Sequence, residues 1–351
     1  MKVNLTDTRE VFNFCEPYII AELGSNHNGD MKLAENMIRA AGAAGADCVK
    51  FQSWSKDSIF SKKVYDDNFF LKDDYRNRKD YTLEKIVEKF SISESELLEM
   101  KKIADEVGID MISTPFSKKE VDFLVDKLHA PFIKVASMDA NNYPFLKYIA
   151  RKGKPIVMST GLSTLSEIDK AISVIEAEGN TQIVILHCIS IYPPEDRQVN
   201  LNNIPTYQKL YPYPVGFSDH TIGYSIPLAS VALGACVIEK HFTLDKTMVG
   251  WDHKVSADEA DLRIMCTESK RIHKALGSTR IVSQESQERK DAFRRSVVAA
   301  KDIKQGEIIT EKDLDVKRPG TGLPPEAMEY IIGKTARRNI GKDQIIEGKD
   351  F

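Results

Sequence analysis

The chain lacks any apolar run long enough to cross a bilayer, and its opening "MKVNLTDTREVFNF" lacks the apolar core of a signal peptide. Neither a membrane span nor an export signal is therefore expected. A cysteine framework is missing too. Cys15, Cys48, Cys188, Cys236 and Cys266 are odd in number and scattered, with no CxxC pair, which argues against a disulfide scaffold. Cys48, Cys188 and Cys236 sit inside apolar strand-like runs, where cysteine serves as a small buried hydrophobe, and a reducing, cytoplasmic setting is expected. An excess of one charge is also absent. The 49 basic and 52 acidic residues leave a net charge of −3, so no bulk field draws nucleic acid or an anionic membrane. What is present is an ordinary globular composition, 42% hydrophobic and 29% charged in 351 residues. That suffices for one large domain plus a small one.

Short β-branched runs recur along the chain, each followed by a helical pattern. They are "YIIAEL" (18–23), "DCVKFQ" (47–52), "IDMISTP" (109–115), "PFIKVAS" (131–137), "PIVMST" (155–160), "IVILHC" (183–188), "VGFSDH" (215–220) and "ACVIEKHF" (235–242). Apolar nearly throughout rather than alternating, they suit parallel strands covered on both faces. The segments "MKLAENMIRAAGAAGA" and "SELLEMKKIADEVG" read as amphipathic helices ended by Gly, and "STLSEIDKAISVIEAEG" opens on Ser163–Thr164. Eight strand–helix units predict an α/β protein built as a (β/α)8 TIM barrel over residues 1–280, with an N-terminal extension at 1–16. A doubly wound open sheet is the structural alternative. A charged and aromatic insertion over 53–90 follows the second strand; in it Phe60, Phe69, Phe70 and Tyr75 call for burial. Residues 281–293 read as a polar linker, and 294–351 as a small β-rich domain with little core of its own.

Polar residues stand at the C-terminal end of every run: Glu22, Lys50–Gln52, Ser113–Thr114, Lys134–Ser137, Ser159–Thr160, His187, Ser218–His220 and Glu239–His241. In a barrel these ends form one rim, where active sites of this fold lie. Lys50 and Lys134 end apolar runs where an unpaired ammonium is costly, and with Thr114, Ser137 and Ser159 they suggest a site for phosphate or carboxylate. His220 and His241 end neighbouring strands, with Glu22 on the strand that closes the ring, a pattern that points to a divalent metal. An anion site beside such a metal and a carboxylate suggests activation of water or of a carbonyl next to a phosphorylated substrate.

"AELGSNHNGD" (21–30), "VKFQS" (49–53), "STPF" (113–116), "STGL" (159–162), "IYP" (191–193), "GFSDHT" (216–221), "EKHFTLDK" (239–246) and "VKRPGTG" (316–322) together resemble the sialic acid synthase family, which includes legionaminic and pseudaminic acid synthases. The resemblance runs in order from about residue 16 to the end. It implies an aldolase-type barrel followed by an antifreeze-like (SAF) domain, in a domain-swapped homodimer where Arg318 contacts the sugar acyl group across the interface. It implies condensation of phosphoenolpyruvate with an N-acylated hexosamine of the N-acetylmannosamine type, with phosphate released by C–O cleavage. His220 and His241 match metal ligands for Mn2+, with Mg2+ or Co2+ as further options. Glu22 and Glu239 match the acidic catalytic groups. Lys50, Thr114, Lys134, Ser137, Ser159 and Ser218 match phosphoenolpyruvate positions, and Gln52, Tyr192 and Asp252 sugar positions. The implied mechanism has the metal polarise the sugar aldehyde, C3 of phosphoenolpyruvate attack it, and Glu22 help deprotonate the water that adds at C2.

One departure is "VGWDHKVS", where Trp251 stands in place of the proline many relatives carry before the aspartate. Its apolar face suits an acceptor without a 6-hydroxyl, so a 2,4-diacetamido-2,4,6-trideoxyhexose, giving legionaminic or pseudaminic acid, is the alternative acceptor. The other reading of Trp251 is simple packing beneath the loop. Two further readings are a related synthase acting on an aldose phosphate, which calls for more basic residues on the sugar side, and a non-catalytic sugar-binding protein, which predicts a missing catalytic group.

Overall fold

The structure is a computed structural model that describes residues 1–68 and 82–351; Phe69, Phe70 and Tyr75 lie outside the described residues. It divides into two compact units, Met1–Gly277 and Ser278–Phe351.

The first unit opens on a two-stranded hairpin, β1 (Val3–Asn4) and β2 (Glu10–Val11). Val3, Leu5 and Val11 are fully buried. The hairpin covers N-terminal strand ends: Asn4 N–H donates to the Gln182 side chain, and Val215 N–H to that of Asn13. Eight strands follow: β3 (Tyr18–Gly24), β4 (Cys48–Gln52), β5 (Asp110–Thr114), β6 (Ile133–Val135), β7 (Ile156–Ser159), β8 (Ile183–Cys188), β9 (Val215–Asp219) and β10 (Val237–His241). All their ladders are parallel, in the order β5-β4-β3-β10-β9-β8-β7-β6. β5 and β6, at the two ends of that order, also lie side by side, so the sheet curls into the barrel expected from the eight runs.

Local chemistry explains why the helices start and stop where they do. Asp30 accepts from the N–H groups of Lys32 and Leu33 to open Met31–Ala44, and Gly45 closes it at φ 94°. Reciprocal capping boxes, Ser93 with Glu96 and Thr164 with Glu167, open Glu94–Val107 and Leu165–Glu176. All five cysteines are buried free thiols. In the insertion, short helices Lys56–Ile59, Lys62–Asp67 and Leu83–Phe90 surround a satellite core of Trp54, Leu83, Ile86, Val87 and Phe90. Phe60 and Trp251 pack on it, both partly buried. No helix among the described residues is long and apolar enough to cross a membrane.

In the second unit the stretch read as a linker carries a helix, Gln287–Phe293. β11 (Ser296–Ala299) and β12 (Leu314–Lys317) then pair antiparallel over a small core that includes Val297, Ile303, Ile309, Ile340 and Ile346. Asp313 braces the turn before β12: its carboxylate accepts from Thr310 N–H and hydroxyl, both 2.7 Å, and pairs with Lys301 at 2.7 Å. Lys301 first, then the Thr310 N–H, hold this carboxyl down at about 2. A carboxyl depressed in the folded state stabilises above its unfolded value and loses that contribution as pH falls through the folded one. Thermal melts of the full chain between pH 5 and pH 2 should therefore show the second unit losing more stability across roughly pH 4 to 2 in wild type than in Asp313→Asn.

Candidate active site

Strand register places the predicted residues in rows. His241 pairs with Glu22, Glu22 with Lys50, and Gln52 with Thr114. Lys50 Nζ lies 2.8 Å from Glu22 Oε2 and donates to Thr114 Oγ1 at 2.8 Å. Glu22 Oε1 accepts from the Gln52 amide at 2.8 Å, and Gln52 Oε1 accepts from the Trp54 indole at 2.9 Å. Across the lumen, Lys134 Nζ donates to Ser159 Oγ at 2.7 Å, and Ser218 Oγ donates to Glu239 Oε1 at 3.0 Å. Glu239 sits between the two ammonium groups, 3.7 Å from Lys50 and 3.8 Å from Lys134. Two lysines and two glutamates thus share one buried space.

The two carboxyls titrate apart. Burial, with the neighbouring Glu239 charge, lifts Glu22 to about 7 although Lys50 pulls the other way. Burial also works on Glu239, but Lys134 and Lys50 outweigh it and hold that carboxyl below its usual range. Such divergence separates an acid–base group near neutrality from a permanently ionised one. Burial likewise opposes the Lys50 charge, yet Glu22 and Glu239 keep its ammonium above the ordinary value. Lys134 is less well matched: burial, aided by Lys50, pulls it down despite Glu239. This lysine lacks negative charge, which an anionic ligand would bring.

Nearer the mouth stand the histidines. Their ring centroids are 5.4 Å apart, and the half-exposed Tyr192 ring lies 4.0 Å from that of His220. His220 Nδ1 engages Ile189 O at 2.8 Å, and its ring also bonds the Cys188 side chain. His241 Nδ1 is buried without a hydrogen-bond partner; Asp252 Oδ2 stands 3.6 Å away. An orphaned imidazole nitrogen beside a second imidazole fits a divalent cation, since two rings bound at ~2.1 Å put their centroids on the order of 5 Å apart. Among the described residues no third His, Cys, Asp or Glu completes a cluster with them. A two-imidazole site that leaves the other positions to water or ligand oxygen is unlike a closed structural zinc site, and its nitrogen donors suit borderline ions better than Mg2+.

The NeuB family model matches residues 37–281, and the SAF domain model matches 294–351. The chain belongs to the NeuB family. It is 40% identical to an N,N'-diacetyllegionaminic acid synthase of Campylobacter jejuni over 93% of this chain and 98% of that one. It is 36% identical to the human N-acetylneuraminate-9-phosphate synthase, covering 94% and 91%. Among solved structures, the N-acetylneuraminic acid synthetase of Leptospira borgpetersenii superposes with a TM-score of 0.73 at 31% identity, over 82% of this chain and 94% of that one.

The NeuB barrel gathers most of the residues the sequence nominated, with informative exceptions. Ser137 stands beside Cys188, whose Sγ is 3.5 Å from its hydroxyl. A Cβ at Gly161 would fall 2.6 Å from Ser137 Oγ and 2.3 Å from Ser190 Oγ, so only glycine leaves this corner open. Cys188, which reads as a buried hydrophobe, is buried but polar in its contacts: burial raises its thiol, yet His220 and Ser137 together bring it below the ordinary value. His187 turns away from the lumen, bonding Val199 O at 2.6 Å and stacking on Phe217. Arg318 belongs to the second unit, where its guanidinium lies 5.0 Å from the Phe293 ring.

The "SNHNGD" loop has a role that its sequence does not announce. Asn26 donates to Phe242 O and to Ser256 Oγ, both 2.9 Å, and Asn28 donates to Val249 O at 3.1 Å. Together they strap down the segment after β10 that carries Trp251 and Asp252. Trp251 packs 5.8 Å from both Trp54 and Phe90. It is therefore part of the apolar wall that continues, through Trp54, to Gln52. Asn26→Ala strands the buried Phe242 carbonyl and removes one bond from Ser256, which still donates to Asp252 O; it should lower the unfolding free energy by about 2 kcal/mol, read by urea denaturation.

Proposed function

We propose that this protein is a nonulosonic acid synthase that joins phosphoenolpyruvate to an N-acylated hexosamine and releases phosphate. The observation that carries the reading is the buried set of Lys50, Lys134, Glu22 and Glu239 beneath the His220–His241 pair. Lys50 and Lys134, with Thr114, Ser137, Ser159 and Ser218, would hold the phosphate and carboxylate of phosphoenolpyruvate by charge-assisted hydrogen bonds. Gln52, Tyr192 and Asp252 would orient the sugar. His220 and His241 would hold a divalent cation, which supplies Lewis-acid polarisation of an aldehyde oxygen. A new bond forms between C3 of phosphoenolpyruvate and the aldehyde carbon, whose oxygen takes a proton to become a hydroxyl. Water adds at C2 and gives one proton to Glu22, which returns it to the new alkoxide oxygen and is left as the carboxylate. The resulting tetrahedral centre collapses to a ketone as its C–O bond to phosphate breaks; its hydroxyl proton leaves with the phosphate, and the lysines stabilise the departing charge.

The apolar wall of Trp251, Trp54 and Phe90 favours an acceptor with an apolar C6 substituent, and a relative named for legionaminic acid shares 40% identity. A second reading is therefore a 2,4-diacetamido-2,4,6-trideoxyhexose as acceptor. Exposed Met138, Leu162, Ile191, Ile222 and Val249, in the segments after successive barrel strands, support a homodimer in which a partner's SAF domain covers the mouth and brings its copy of Arg318. Free, buried thiols suit a cytoplasmic setting. The deciding experiment offers phosphoenolpyruvate with a panel of N-acylated hexosamines, with and without chelator, and follows phosphate and product mass. Acceptor-dependent phosphate release with a nine-carbon acid supports the reading; sugar binding without turnover, or turnover only with aldose phosphates, defeats it.

A further inference from the structure

Asp219 and Lys240 form an ion pair that none of the chemistry above uses. They are register partners on β9 and β10, and both side chains are completely buried. Because Ser218 and Glu239 meet inside the lumen, strand alternation puts their neighbours Asp219 and Lys240 on the outer face of the barrel. The Lys240 ammonium donates to the Asp219 carboxylate and, at 2.6 Å, to Thr221 O. Asp219 in turn accepts from Thr221 N–H and from its hydroxyl, both at 3.0 Å. The network grips the backbone on both sides of His220, at 219 and 221, and adjoins His241 directly.

Burying two charges costs several kcal/mol per ion, and apolar residues of similar volume commonly stabilise a core as well or better. Stability is thus a poor reason for an ion pair here, whereas fixed geometry is a good one. A carboxylate accepting three bonds and an ammonium donating two lock the relative twist of the two strand ends. We propose that Asp219 and Lys240 are positioning residues that set the separation and aim of His220 and His241 toward a divalent cation. This rests on the metal role given to the two histidines above. Partners that orient metal-binding histidines typically contribute 10–100-fold in affinity.

The test is Mn2+ binding to the full chain, by titration calorimetry and by loss of the free-ion EPR signal, which needs no turnover. In Asp219→Asn/Lys240→Met, which leaves no unpaired charge, affinity should fall by about tenfold or more. The melting temperature without metal should stay within about 5 °C of wild type, and the KM for phosphoenolpyruvate should be unchanged. Thr221→Val, a milder change that keeps the pair, should weaken Mn2+ by roughly threefold, and it decides the matter if the double variant does not fold. A folded variant binding Mn2+ within twofold of wild type overturns the positioning role, as does a loss that merely tracks melting temperature. Wild-type protein that takes up no Mn2+ overturns the metal reading instead, and with it this inference.

Discussion

Glu22→Gln is expected to lower kcat/KM by a factor of about 10²–10⁴ and to abolish the acid limb of the pH profile. The magnitude is that of a lost general base, and the limb follows from the titration of Glu22 at about 7. A base works when deprotonated, so wild-type kcat/KM should rise with pH, roughly tenfold per unit below that point, and then level off. Glutamine keeps the shape and can still meet Gln52, but it neither takes a proton nor titrates. Glu239→Gln makes the control. Lys134 and Lys50 keep Glu239 ionised well below neutrality, so this variant should lose rate yet retain the limb. A Glu22→Gln enzyme whose profile still climbs through neutrality would remove Glu22 from the base role.

Lys134→Met should weaken phosphoenolpyruvate binding about 100-fold while leaving the melting temperature unchanged or slightly raised. The ammonium is buried and held below its usual value by burial first and by Lys50, so an unbent apolar side chain relieves a cost the folded state carries. Glu239 keeps Lys50 and Ser218 as partners. What disappears is one of two fixed positive charges on the anion, a loss of about 3 kcal/mol when the partner charge is buried. Calorimetry with phosphoenolpyruvate alone separates this from any effect on the acceptor, and unchanged affinity would assign Lys134 to folding rather than to the ligand.

The barrel was legible because strands covered on both faces read as unbroken β-branched runs, and all eight lie where those runs lie. For the same reason the direction of each side chain was not legible. A run without alternation does not say whether Ser218 or Asp219, Glu239 or Lys240, faces the lumen, nor that His187, counted among the polar strand ends, turns outward. The lysines, glutamates and paired histidines could be nominated because charge at the end of an apolar run is expensive and strand ends converge. The grip of Asn26 on Phe242 and Ser256 spans more than 200 residues, and no local pattern encodes it. Trp251 admitted two readings; its contacts with Trp54 and Phe90 make it a packed residue that also shapes a wall.

The N-terminal hairpin bears on the order of events. Val3, Leu5 and Val11 are buried at the N-terminal strand ends, so the hairpin lies at the end of the barrel opposite the rim. Lys50 and Lys134, each 3% exposed, lie deeper than Tyr192 at 49%. On the proposed assignment, a molecule seated on the lysines would enter before one resting against Tyr192. Depth would then act as a clock: on that assignment binding is ordered, with the inner ligand first, and inhibition patterns against each ligand check it.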